Sequence, residues 1–191
     1  MRVSDPSNFY TGLVAELYEP LASGISDSDR FIRFVVEHGE PALEICCGTG
    51  LPLLDLLEAG LDVEGVDSSK DMLDICAAKA SKRGLSVTLH RAMMQDFKML
   101  RRFRSVYIAN GSITLLPSDS DLKQTLKTII ECLDPKGIVL FDLDVPNANE
   151  LRRLVGKFKE TEYDGCRIRV GITQVDWHEK DSELIIKLRY E

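Results

Sequence analysis

The chain has 191 residues, a hydrophobic fraction of 44% and a formal net charge of −7. One compact domain with enough apolar side chain to bury a core is the expectation at that length. With this acidic balance nucleic acid is not an expected bulk partner, and no 18-residue apolar run is present to span a membrane.

Chain order predicts two N-terminal helices, over 9–19 and 27–38, the first carrying Tyr10 and Tyr18 on an amphipathic pattern. Strand and helix then alternate: 42–47, 51–59, 61–67, 70–82, 86–90, 105–109, 119–133 and 138–143. Leu122, Leu126, Ile129, Ile130 and Leu133 set the helical period of 119–133. Such alternation with short loops predicts an α/β fold, a three-layer, doubly wound, mostly parallel sheet. After Asn147 the pattern changes. Residues 150–155 could finish a short helix. Then 161–163, 166–177 and 184–190 alternate as strands, with 178–182 as a polar turn. The expected organisation is a core over 1–146 and an antiparallel β extension over 147–191.

The termini and the soft ligands point to a cytoplasmic protein. Met1-Arg2-Val3-Ser4-Asp5-Pro6 has no signal-peptide core, so no export leader is expected. Five scattered cysteines without a C-x-x-C read as reduced thiols, and His38, His90 and His178 have no ligand spacing, so no metal is expected. Arg101-Arg102-Phe103-Arg104 and Arg152-Arg153 read as solvated faces.

The chemistry concentrates at the carboxyl ends of the predicted strands, where open α/β sheets bind ligands. Leu43-Glu44-Ile45-Cys46-Cys47-Gly48-Thr49-Gly50 is an apolar strand running into a glycine turn and a helix start. Asp67, at the tip of the second strand, is placed to accept both hydroxyls of a ribose. A dinucleotide site would want G-x-G-x-x-G, and the register from Gly48 reads Gly48-Thr49-Gly50-Leu51-Pro52-Leu53, without the third glycine. Ser68 with Asp71 reads as an N-cap and a first-turn acid. Met72 follows, either as core packing or as a thioether for an adenine face.

These blocks resemble the class I S-adenosylmethionine (SAM) methyltransferases of the small-molecule type. Glu44 takes the place of the acid of the family's first motif, Gly48 and Gly50 match its last two glycines, and Cys46 stands at its first. Val63-Glu64-Gly65-Val66-Asp67-Ser68-Ser69-Lys70-Asp71-Met72-Leu73 is similar to the second block. Arg91-Ala92-Met93-Met94-Gln95-Asp96-Phe97 aligns with the third, Met93 falling where an acid usually meets the adenine amine, with Met94 offering its backbone N–H. Val106-Tyr107-Ile108-Ala109-Asn110 resembles strand 4 and the segment after it, and Tyr18 matches an aromatic that covers the cofactor. The resemblance implies SAM as cofactor, S-adenosylhomocysteine as product, a small-molecule acceptor methylated on N or O, and binding by Glu44, Cys46, Gly48, Gly50, Asp67, Ser68, Met72, Met93, Met94, Ala109, Asn110 and Tyr18.

The residues nominate no clear general base; Tyr18 and Asp142, at the end of the fifth strand, are the candidates. Family members with an inserted sheet continue into closing strands. A chain ending at Glu191 either lacks that pair or uses its last strands for it. Without it, strand 4 or 5 would keep an exposed edge on which a homodimer could form. A SAM-binding module without turnover and a nicotinamide oxidoreductase are the other readings.

Overall fold

The computed structural model describes residues 9–22, 27–143, 147–178 and 183–191. The chain divides into two compact units, one of residues 4–16 and 25–144, the other of 1–3, 17–24 and 145–191.

The larger unit holds a short helix α1 (Leu13–Glu16), then α3 (Ser28–His38), with α2 (Tyr18–Ala22) belonging to the smaller unit. The single helix expected over 9–19 is therefore two. Pro20 supplies the reason: it has no N–H to return to the carbonyl four residues back, so it fits only the first turn of a new helix. Asp27 caps α3 by accepting from the Arg30 amide, Phe31, Phe34 and Val35 form its buried stripe, and Gly39 ends it at φ 100°.

A five-stranded sheet follows, built from β1 (Ala42–Ile45), β2 (Val63–Asp67), β3 (Thr88–Arg91), β4 (Phe103–Ile108) and β5 (Leu133–Phe141) in the order β3-β2-β1-β4-β5. Every pairing is parallel. The connecting helices are α4 (Leu53–Glu58), α5 (Lys70–Lys82) and α6 (Asp119–Cys132). On one face α3, α4 and α5 pack Phe31, Val35, Leu53, Leu54 and Cys76 against Ala42, Val63 and Tyr107. On the other, Ile129 and Cys132 of α6, with Phe97 and Ile113, cover Leu43, Ile45, Val66, Val106 and Ile108. The three-layer, doubly wound parallel sheet expected from the alternation is the fold found.

Three expectations are corrected. The edge strands are β3 and β5; β4 lies between β1 and β5. The first strand stops at Ile45, because Cys46 turns into the left-handed region at φ 60°. Finally, α6 buries Thr125, Thr128, Ile129 and Cys132, whereas Leu122 and Leu126 are each 37% exposed and Ile130 is 67% exposed. Of the Leu/Ile stripe, Ile129 is buried while Leu122, Leu126 and Ile130 turn outward, and on the inward side Thr128 Oγ1 donates to the Gln95 carbonyl.

In the smaller unit an antiparallel sheet joins β6 (Phe158–Tyr163), β7 (Cys166–His178) and β8 (Glu183–Tyr190) in sequence order, as the alternation predicted. Its helix α7 (Ala148–Arg152) starts earlier than expected, since Asn147 accepts from the Asn149 and Glu150 amides as N-cap. Val170, Ile172, Val175 and Trp177 share one face with Tyr190, Leu188, Ile186 and Leu184. Lys159 reaches the Leu21 carbonyl of α2.

Candidate active site at the carboxyl ends of the strands

The loop after β1 is folded by its own backbone and by β2. The Cys47 amide donates to the Val66 carbonyl (3.0 Å) and the Gly50 amide to the Cys47 carbonyl (2.8 Å). Cys46 holds the positive φ that a glycine usually takes, so a cysteine keeps the glycine-type backbone here. Burial pushes its thiol far above the ordinary range.

The two glycines of this loop do different work. A Cβ on Gly48 (φ 51°) would meet nothing within 4 Å, so the backbone there faces open space. A Cβ on Gly50 (φ 91°) would lie 2.7 Å from Cys76 Sγ and 2.8 Å from Leu54 Cγ. Gly48 is thus the position where a ligand can approach the chain, and Gly50 is required for the loop to close on α4 and α5.

Asp67 sits at the tip of β2. Its Oδ2 accepts from the Gly48 amide and its Oδ1 from the Ser69 amide, each at 2.8 Å. Burial pushes its carboxyl above the usual range, opposed by the amides of Ser69, Gly48 and Ser68. A carboxylate accepts about four hydrogen bonds, so both oxygens keep capacity for hydroxyl donors. The residue ties loop 1 to β2 and keeps acceptor capacity facing the strand ends.

Ser69, not Ser68, is the N-cap of α5: its Oγ accepts from the Met72 amide. The same hydroxyl donates to the Tyr10 carbonyl (2.5 Å), and the Gly12 amide donates to Asp71 Oδ2 (2.6 Å). The N-terminal segment is thereby laid over the start of α5, and its Phe9 and Tyr10 rings meet edge to face at 4.9 Å. Tyr18 belongs to the smaller unit. The sequence signal for the segment at the site was Tyr10, seven residues upstream of the break at Leu17.

Met72 is 3% exposed, which assigns its side chain to packing and leaves little surface for a base. Met93 and Met94 are half-buried in the loop after β3. Ala109 is buried, and Asn110 is exposed at φ 54°, its amide donating to Asp142 Oδ2 (3.3 Å). Asp142 Oδ1 pairs with Arg30 (2.6 Å), so this carboxylate bridges α3 to the loop after β4 and is a poor candidate for a free base.

Glu44 lies wholly buried beneath loop 1. Its Oε2 accepts from the Tyr107 hydroxyl (3.1 Å), the neighbour in register on β4, while Oε1 has no partner. Burial pushes its carboxyl well above the usual range, against the lowering effect of Tyr107. A carboxyl held higher in the folded state stabilises the fold below its unfolded pKa and loses that contribution as pH rises toward the folded value. Glu44→Gln should therefore match wild type near pH 4 and gain on it above that, by about 1.4 kcal/mol per pH unit until the folded carboxyl ionises. Thermal melts of both proteins across pH 4–8 check this; a gain that shrinks with rising pH contradicts it.

Among the described residues no cluster of His, Cys, Asp or Glu is arranged to hold a metal, and no helix is long and apolar enough to cross a membrane. A carboxylate with spare acceptor capacity at the β2 tip, a glycine with an open side in the loop after β1 and a left-handed loop after β4 could accommodate a nucleoside-type cofactor along the carboxyl ends of the strands. The model of the methyltransferase domain family matches residues 42–137, and the chain belongs to that family. A dTDP-3-amino-3,6-dideoxy-alpha-D-glucopyranose N,N-dimethyltransferase from Streptomyces fradiae is 30% identical over 145 residues, covering 72% of this chain and 55% of that protein. The CcbJ methyltransferase of Streptomyces caelestis has the same fold, with a TM-score of 0.70 and 20% identity over 96% of this chain and 80% of its own. The glycopeptide N-methyltransferase MtfA, solved with SAM, overlays at a TM-score of 0.59 and 22% identity, covering 86% of this chain and 76% of its own. The chain spans about half the length of the curated relatives it matches.

Proposed function

We propose that this chain carries out SAM-dependent methyl transfer to a nitrogen or oxygen of a small molecule. The observation that carries the reading is Asp67, part-buried at the β2 tip, next to Gly48 with its open side. When bound, SAM supplies an activated methyl group on its sulfonium. The protein's part is then positioning: Asp67 orients the ribose, Gly48 lets the cofactor approach bare main chain, and the Ala109–Asn110 turn faces its amino-acid end. No residue has to create a nucleophile, because an amine that is neutral at working pH already is one. That fits loops in which Asp142 is tied to Arg30 and Asp67 to the Gly48 and Ser69 amides, and it favours nitrogen as the acceptor atom. The amino-sugar dimethyltransferase that resembles this chain modifies such a nitrogen. The family membership supports this reading over a nicotinamide oxidoreductase.

The test is transfer of labelled methyl from SAM to a panel of amino sugars, glycine and matched hydroxyl compounds. Labelled amine product is expected. Label only on hydroxyl compounds would overturn the nitrogen assignment, and none at all would overturn the activity.

Three further points belong to this proposal. The core of 1–146 binds the cofactor, with 147–191 a separate β extension. The protein works in the reducing cytoplasm, a reading that its five free cysteines support. A homodimer forms on the β5 edge, where Ile138 is 44% exposed and the outward Leu122, Leu126 and Ile130 of the preceding helix form an apolar stripe. Sedimentation should show a dimer that Ile130→Glu weakens; a wild-type monomer rules it out.

A further inference from the structure

The strand order reverses between β1 and β4: the chain moves outward through β2 and β3 on one side and through β5 on the other. Open α/β sheets take their ligands in the crevice that such a reversal leaves. Ile45 pairs in register with Ile108, so loop 1 and the turn after β4 leave the sheet side by side and form the two walls of that crevice. Loop 1 is fixed from β2, by the Cys47 amide on the Val66 carbonyl and by Asp67 on the Gly48 amide. The other wall is fixed from the N-terminal side of the chain.

Asn110 and Gly111 stand in succession in the left-handed region, at φ 54° and 69°. Asparagine tolerates that conformation without requiring it, so contacts from outside the turn have to select it. The Ser112 amide and hydroxyl both donate to the Ala109 carbonyl (3.3 Å and 3.1 Å), which closes one side of the turn. Asp142, directly after β5, closes the other. Its amide donates to the Ile108 carbonyl (3.2 Å), and its Oδ2 accepts from the Asn110 amide (3.3 Å). The second bond is long, so it restrains the turn only if the carboxylate is itself held.

Arg30 holds it, with Nη1 2.6 Å from Asp142 Oδ1. The arginine is in turn seated by α3. Its amide donates to the Asp27 cap (3.3 Å), and its guanidinium carbon lies 5.5 Å from the centroid of the Phe31 ring. Phe31 packs on Tyr107 of β4, their ring centroids 5.1 Å apart. We propose that Arg30 is a positioning residue: through Asp142 it keeps the Asn110 turn in its left-handed form and so fixes the β4 wall of the crevice. This rests on the cofactor reading above and adds to it a control exerted from α3.

Arg30→Met keeps the stem on Phe31 and removes the charge. The turn then leaves its binding form part of the time, and the dissociation constant for S-adenosylhomocysteine rises by the inverse of the fraction that stays. A part-exposed ion pair limits that rise to about fivefold. Calorimetric titration, at a temperature where circular dichroism shows each variant folded, should give a rise of about threefold to fivefold for Arg30→Met. Arg30→Lys keeps a cation beside Asp142 and should recover most of the affinity. Adding Arg30→Met to Asp142→Ala should change nothing further, because the line from α3 to the turn is already cut. Wild-type affinity in Arg30→Met overturns the proposal and leaves the cofactor reading standing. So does an Arg30→Lys protein as weak as Arg30→Met, or a double variant weaker than Asp142→Ala by the full Arg30→Met factor. A wild-type chain that does not bind S-adenosylhomocysteine overturns both.

Discussion

Asp67→Asn lowers the affinity for S-adenosylhomocysteine by at least tenfold. The substitution keeps the shape of the side chain but removes its charge. Two charge-assisted hydrogen bonds to ribose hydroxyls are weakened, each worth about 1.5–3 kcal/mol gross. A second loss adds to the first. Asp67 accepts from the Gly48 and Ser69 amides at once, and an amide side chain presents an N–H to one of them. Loop 1 is then held by one bond fewer, so a modest fall in melting temperature accompanies the loss of affinity. Titration and melting of the same sample separate the two. Unchanged affinity with a lowered melting temperature would make Asp67 a purely structural clamp.

Gly48→Ala and Gly50→Ala part company in the same pair of measurements. At Gly50 the new methyl is 2.7 Å from Cys76 Sγ and 2.8 Å from Leu54 Cγ, in a backbone conformation that L residues rarely adopt. Overpacking of this kind costs about 1–3 kcal/mol, and the positive φ adds about 1–2 kcal/mol. For a chain of this size a loss of about 3 kcal/mol lowers the melting temperature by roughly 6–12 °C. At Gly48 only the φ cost applies, since nothing stands within 4 Å of the methyl. Its effect falls instead on the ligand, which meets a side chain where it had met bare backbone. Stable Gly48→Ala with weakened S-adenosylhomocysteine binding is the expected result. Equal melting losses at both positions would mean that loop 1 packs uniformly and has no ligand side.

The sequence carried the sheet and the ligand end of it, because both follow from local pattern. Four fully buried residues of β1 read as an apolar run, and the α5 limits of Lys70–Lys82 were those expected. The misses have a common origin in tertiary contacts. The α6 helix shows a regular Leu/Ile stripe, yet only Ile129 of its Leu and Ile residues is buried, beside Thr125 and Thr128, and periodicity cannot tell which part of such a stripe the sheet will take. Ser68 and Ser69 are equal as caps by composition. The choice of Ser69 depends on Asp67 folding back to accept its amide. Cys46 in the left-handed region is invisible to residue preference, since the conformation is imposed by loop 1 closing on Val66 and Asp67. Glu44 was legible as an acid in the first loop block. Its burial against Tyr107 was not, because that contact needs β1 and β4 side by side.

The central claim is that the tips of β1 and β2 bind SAM. Isothermal titration of the wild-type chain with S-adenosylhomocysteine, beside an identical titration with NAD, tests it most directly. The account predicts saturable binding of one S-adenosylhomocysteine per chain and no heat from NAD. Binding of NAD, or silence toward S-adenosylhomocysteine, would contradict it.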